Sequence, residues 1–195
     1  TLFFLSLKSF PKIILKKMGF FEMVTFFDLG EKLSKLMKIP NLITTRLLIQ
    51  KLSLNFNIKV LVKSFISSFL FNFFMLVLFN VFLEQIILLL KFPLNNELIY
   101  SCRILSISVF IIFLNNVLGQ QILIPLNKFK GYYNSLTYCS LLALIIMSIL
   151  YIKKLITPTY LAFNLLALDL LVMLYLAVHI FKNFKVLNIN NQKSS

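Results

Sequence analysis

The chain has 195 residues, 59% of them hydrophobic and 13% charged, with a mean hydropathy of +0.91, a composition outside the soluble globular class. Its net charge of +14 is carried mainly by lysines scattered through apolar sequence, and no RNP, zinc-finger or helix-turn-helix pattern accompanies them, which argues against nucleic acid as a partner. The expected fold class is an all-α integral membrane protein, a bundle of about six transmembrane helices of about 20 residues each, with one membrane domain over 1–187 and a polar tail over 188–195.

Residues 1–14 read as a truncated or irregular first span, interrupted by Lys8, Pro11 and Lys12. Lys8 and Lys12 are four apart, so they form either a cationic patch inside the bundle or a pair of snorkelling interfacial side chains. Residues 20–49 predict a long helix that Glu22, Asp28, Glu31, Lys32, Lys35, Lys38 and Arg46 load with charge and that Pro40 bends. Asp28/Lys32 and Glu31/Lys35 have the stabilising acid-before-base spacing. An isolated charge at mid-bilayer costs on the order of 3 kcal/mol, so this face should look inward or into water, unless much of the helix lies at the surface. Asp28, Glu31, Lys32 and Arg46 are therefore candidates for a substrate or ion path.

After a link over 51–63, residues 60–90 predict an apolar helix with Ser64, Ser67, Ser68 and Asn72 on one side and interfacial Glu84 and Gln85 at its far end. Pro93 and Asn95-Asn96 mark a turn over 91–97. The span over 98–126 then carries Asn115, Asn116, Gln120 and Gln121 within membrane-length apolar sequence. Lipid offers such amides no partner, so they either glue neighbouring helices together or line a wet path. Ser108/Asn115 and Asn116/Gln120, seven and four apart, each fall on one helix side. Arg103, in the first turns, either snorkels to the headgroups or points inward to an anion.

The next span covers 132–152 and the last 159–181, where Asp169 near mid-span requires a partner from another helix, or protonation. Tyr100, Tyr132, Tyr133, Tyr151 and Tyr160 near helix ends suit an interfacial aromatic belt, and His179 an interfacial position. Cys102 and Cys139 lack metal or disulfide spacing and read as buried inert thiols. No metal or cofactor is expected. With the polar sequence after Lys182 in the cytoplasm, Lys51, Lys59, Lys63, Lys128 and Lys130 share its side, against Lys16, Lys17, Lys91, Lys153 and Lys154 opposite, a shallow positive-inside bias.

Four stretches carry a family resemblance. The run from Arg103 to Tyr133, with its ILS after a basic residue, NNVLG-Q, L-I-P-L and a Lys-rich link to GYY, is similar to the Wzx-type polysaccharide and O-antigen flippases of the multidrug/oligosaccharidyl-lipid/polysaccharide exporter superfamily. Residues 19–40, GFFEMVTFFDLGEKLSKLMKIP, resemble the second helix of that family's C-terminal half, and 133–152 and 160–182 its last two helices. The resemblance implies one six-helix lobe of a two-lobe exporter in the bacterial inner membrane, a fragment that lacks its N-terminal lobe. The chain begins at Thr1, without an initiator Met or a visible signal peptide, which agrees with that expectation. The implied activity is the flipping of lipid-pyrophosphate-linked oligosaccharide by alternating access, in contact with membrane lipid. Arg and Lys would then bind the anionic headgroup and amides the sugar, and Asp169 would serve packing or proton coupling. A drug or cation exporter would call for more interior carboxylates. An enzyme is disfavoured because no phosphate loop, metal cluster or nucleophile elbow is present. The alternative is a non-transporting hydrophobic subunit of a respiratory or organellar membrane complex, which the Phe/Leu/Ile/Lys/Asn-rich composition fits equally well.

Overall fold

The computed structural model describes residues 12–13, 16–17, 21–54, 57–126, 128–153 and 156–191. They form α1 (Phe21–Leu54), α2 (Ile58–Leu89), α3 (Asn96–Asn116), a π-helical segment (Val117–Leu123) that continues α3, α4 (Phe129–Ile152) and α5 (Pro158–Asn191), with no strand among the described residues. Lys8 and most of the expected first span lie outside them.

Four stretches are long and apolar enough to cross a membrane: Ile58–Leu89, Asn96–Leu123, Phe129–Ile152 and Pro158–Lys182. The chain is thus read as a multi-pass membrane protein built from helices. α1, expected as a further span, is not among the four, because its charges break the apolar window. Its helix passes position 40 without interruption and reaches Leu54, so the link expected over 51–63 shrinks to a few residues. At the other end of the chain the backbone stays helical through Asn191, past the expected end of the last span at 181.

Local chemistry explains the helix ends. The Asn57 side chain caps α2 by accepting from the Lys59 and Val60 amides, at 2.9 and 3.4 Å, and Asn95 caps α3 by accepting from the Glu97 amide at 2.8 Å. α2 ends in a Schellman arrangement: Phe92 N donates to Ile87 O at 3.2 Å and Lys91 N to Leu88 O at 2.9 Å. Lys91 sits there at φ 58°, a left-handed position that usually falls to glycine.

α3 is the hub, and with its π segment it touches every other helix. More than half of its spanning window is buried, 56% against 17% for α2. Phe27 of α1 packs with Ile104, Leu105 and Met147 at one level, and Leu123 packs with Cys139, Leu168 and Leu176 at another. α2 lies at the periphery, held to α3 by Leu83 and Ile87 against Leu98 and Cys102 and by a phenylalanine ladder in which Phe69 meets Phe110 edge-on at 5.3 Å. α1 runs parallel to α3. Gly30 faces Cys102 and Leu105 so closely that a Cβ there would lie 3.2 Å from Cys102 Sγ, while Thr45 meets Gln121 one end further on.

These contacts place the C-terminal parts of α1, the π segment and α5 at the same end as the N-terminal parts of α2 and α4. Arg46, Lys51, Lys59, Lys63, Lys128, Lys130 and Lys182 gather at that end, with no carboxylate among the described residues there. The opposite end mixes Glu84, Glu97 and Arg103 with Lys91 and Lys153. The charge asymmetry is therefore sharper than the count of lysines alone indicates.

Candidate functional site

Polar side chains converge where α1, α3 and α5 meet. The acid-before-base spacing on α1 forms both expected pairs, Lys32 to Asp28 at 2.8 Å and Lys35 to Glu31 at 3.0 Å. Lys12 joins them, bonding Asp28 and reaching Glu31 at 2.5 Å. Lys8, its expected partner in a cationic patch, lies outside the described residues. Two carboxylates shared by three ammonium groups nearly neutralise the cluster, and its outer lysines are well exposed while Glu31 is largely covered.

Below the cluster, Glu31 and Lys38 of α1, Ser108 and Ile112 of α3, and Asp169 of α5 border a cavity of about 20 Å³, room for about one water molecule. Asp169 is 2% exposed. The Ser108 hydroxyl donates to its carboxylate, and Asn115 Nδ2 donates to its backbone carbonyl at 2.9 Å. Ser108 and Asn115 lie two helical turns apart, which lets one side of α3 hold Asp169 twice.

The amide layer continues along the π segment. Gln121, 2% exposed, donates to Thr45 Oγ at 3.1 Å, tying this segment to α1. Gln120 donates to Asn116 Oδ1 and to the Tyr132 hydroxyl, both at 3.1 Å. Tyr132 is therefore an interior partner, unlike the exposed Tyr100, Tyr133, Tyr151 and Tyr160 that suit the aromatic belt. Gly119 makes room for it, since a Cβ at that position would lie 2.3 Å from the tyrosine ring. The amides thus face protein partners, as glue does. Even so, the buried oxygens Asn115 Oδ1, Gln121 Oε1 and Asn164 Oδ1 have no hydrogen-bond partner among the described residues. A buried acceptor left unmatched costs about 1–3 kcal/mol, and the small cavity beside Asp169 is lined by none of these three residues.

Other expected residues stand apart. Arg103 reaches Glu84 of α2 at 3.4 Å on a well-exposed flank, away from the polar layer. Arg46 follows the buried Thr45 but is itself exposed at the basic end, with no ion pair among the described residues. Lys8 lies outside the described residues. Two contributors carried no signal in their local sequence: Thr45, and Asn80 of α2, whose amide donates to Ser106 Oγ at 3.0 Å. Among the described residues no group of His, Cys, Asp and Glu is arranged to hold a metal ion, and Cys102 and Cys139 are buried free thiols. No protein-family model, curated protein or solved structure matches the chain.

Proposed function

We propose that the chain is one lobe of a membrane transporter that moves lipid-pyrophosphate-linked oligosaccharide across the bacterial cytoplasmic membrane, working by alternating access against a second lobe. The observation that carries this reading is the polar seam along α1, α3 and α5. It runs from the Lys12/Asp28/Glu31/Lys32 cluster through Asp169 to the amides of the π segment, in a molecule whose outer surface is apolar. The exposed ammonium groups of Lys32 and Lys35 suit a pyrophosphate. The Wzx-type resemblance supplies the substrate class. In this reading Asp169 fixes the lobe, because both of its named partners lie on α3.

The narrow interior favours a second reading. The cavity in the seam admits about one water, so a substrate path would lie on the face of the lobe and need a second lobe to close it. The same close packing suits a non-transporting hydrophobic subunit of a membrane complex. Native mass spectrometry of the full chain in detergent separates the two. The transporter reading expects undecaprenyl-pyrophosphate-linked oligosaccharide to be retained in preference to undecaprenol and phosphatidylglycerol, and Lys32→Gln with Lys35→Gln to weaken that preference. Equal retention of all three lipids refutes it.

A further inference from the structure

α4 and α5 are antiparallel neighbours that leave a groove of about 490 Å³ between them, within the range of about 300–1,000 Å³ common for ligand sites. Tyr138 and Leu142 of α4 and Leu171, Leu174 and Val178 of α5 form its walls, and Lys182 stands at one end. From Leu171 to Lys182 the helix rises about 16 Å, roughly half of a hydrocarbon core of about 30 Å. The groove is therefore one leaflet deep, running from headgroup level to mid-membrane.

Its mouth lies at the basic end of the bundle, where Lys128 and Lys130 also lie and no carboxylate occurs among the described residues. His179 is seated in the mouth by Gly131. A Cβ on Gly131 would lie 2.3 Å from the imidazole Nε2, so only glycine lets the ring rest against α4, where it also stacks with Tyr175 at 6.3 Å. An apolar trough one leaflet long with cationic and imidazole groups at its headgroup end matches a lipid with an anionic head. A partner helix fits poorly, because it would need a seam through both leaflets. We propose that this groove is a binding site for an anionic glycerophospholipid, with one acyl chain along α4 and α5 and the phosphate at Lys182, beside the ring of His179. The proposal stands on different residues from the transport reading and does not depend on it.

The chain contains no tryptophan, so a single introduced indole is a unique reporter. Tyr138→Trp places it on the groove wall, and Phe163→Trp places it on exposed α5 surface toward the other end of the helix. Each full-length variant is reconstituted in phosphatidylcholine vesicles containing either brominated phosphatidylglycerol or brominated phosphatidylcholine at equal mole fraction. The site predicts that the phosphatidylglycerol quenches the Tyr138→Trp reporter with about five-fold higher apparent affinity, the scale of one surface lysine. The Phe163→Trp reporter should show no preference, and Lys182→Gln should remove most of the preference at 138. Equal quenching by both lipids at 138, or a preference that survives Lys182→Gln together with His179→Gln, overturns the proposal. Unchanged helicity and elution volume of each variant keep misfolding from imitating either result.

Discussion

Replacing Gly119 by alanine tests whether the π segment is held by its fit to Tyr132. The added Cβ would lie 2.3 and 2.4 Å from two ring carbons, whereas carbon atoms in contact prefer about 3.5–4.0 Å. The ring must therefore retreat by more than about 1 Å, taking its hydroxyl out of reach of Gln120. Overpacking costs about 1–3 kcal/mol, and the lost hydrogen bond adds about 1 kcal/mol. Alanine's greater helix propensity returns about 1 kcal/mol. The net expectation is a destabilisation of about 1–3 kcal/mol by these three contributions. With the ring removed by Tyr132→Ala, the clash disappears and only the propensity gain remains, so Gly119→Ala becomes neutral or stabilising in that background. Cys102 and Cys139 are buried, so the midpoint of labelling by a thiol-reactive fluorogenic dye during heating reports unfolding in detergent. A Gly119→Ala protein as stable as the parent would refute the reasoning, as would a loss of equal size with and without the tyrosine ring.

Four further outcomes can be read with the same dye assay. Ser108→Ala removes the hydroxyl that Asp169 accepts from and should cost about 1–3 kcal/mol, the range for leaving a buried acceptor short of a donor, while Ser148→Ala, on an exposed turn of α4, should stay within about 0.5 kcal/mol. Lys91→Gly relieves a left-handed lysine and should raise stability by about 1 kcal/mol; a loss there would show that the Schellman turn is not what holds the end of α2. Lys12→Gln should destabilise by about 1 kcal/mol, an effect that shrinks with added salt, because the cluster it joins is partly exposed. Arg103→Ala should leave the midpoint nearly unchanged, since its pair with Glu84 is on the surface.

Periodicity made part of this arrangement legible. The seven-residue step from Ser108 to Asn115 puts both on the side of α3 that meets Asp169, and the four-residue step from Asn116 to Gln120 ends in a direct hydrogen bond. The two ion pairs on α1 follow from spacing alone. What periodicity does not carry is tertiary register. Thr45 reads as an ordinary helical threonine until Gln121 arrives from 76 residues away, and Tyr132 reads as an interfacial aromatic until Gly119 offers it a seat. The π geometry left no mark either, because Gln120 and Gln121 read equally well as polar insertions in an uninterrupted α-helix. Hydropathy marks the four apolar spans, but α1 packs along α3 despite its charge, since its paired carboxylates and ammonium groups keep partial contact with solvent and lower one another's cost.

α1 precedes the four apolar helices, yet its own sequence is too charged to partition into lipid as they do. Its charges become tolerable once they are paired with one another and laid against α3 and α5, which are synthesised later. α1 should therefore wait at the membrane surface during translation and enter only as the bundle closes around Ser108 and Asp169. In a chain whose Cys102 and Cys139 are replaced by serine, a nascent chain arrested before residue 96 should leave Thr45→Cys of α1 accessible to a water-soluble thiol reagent, and release of the complete chain, where position 45 is 2% exposed, should protect it.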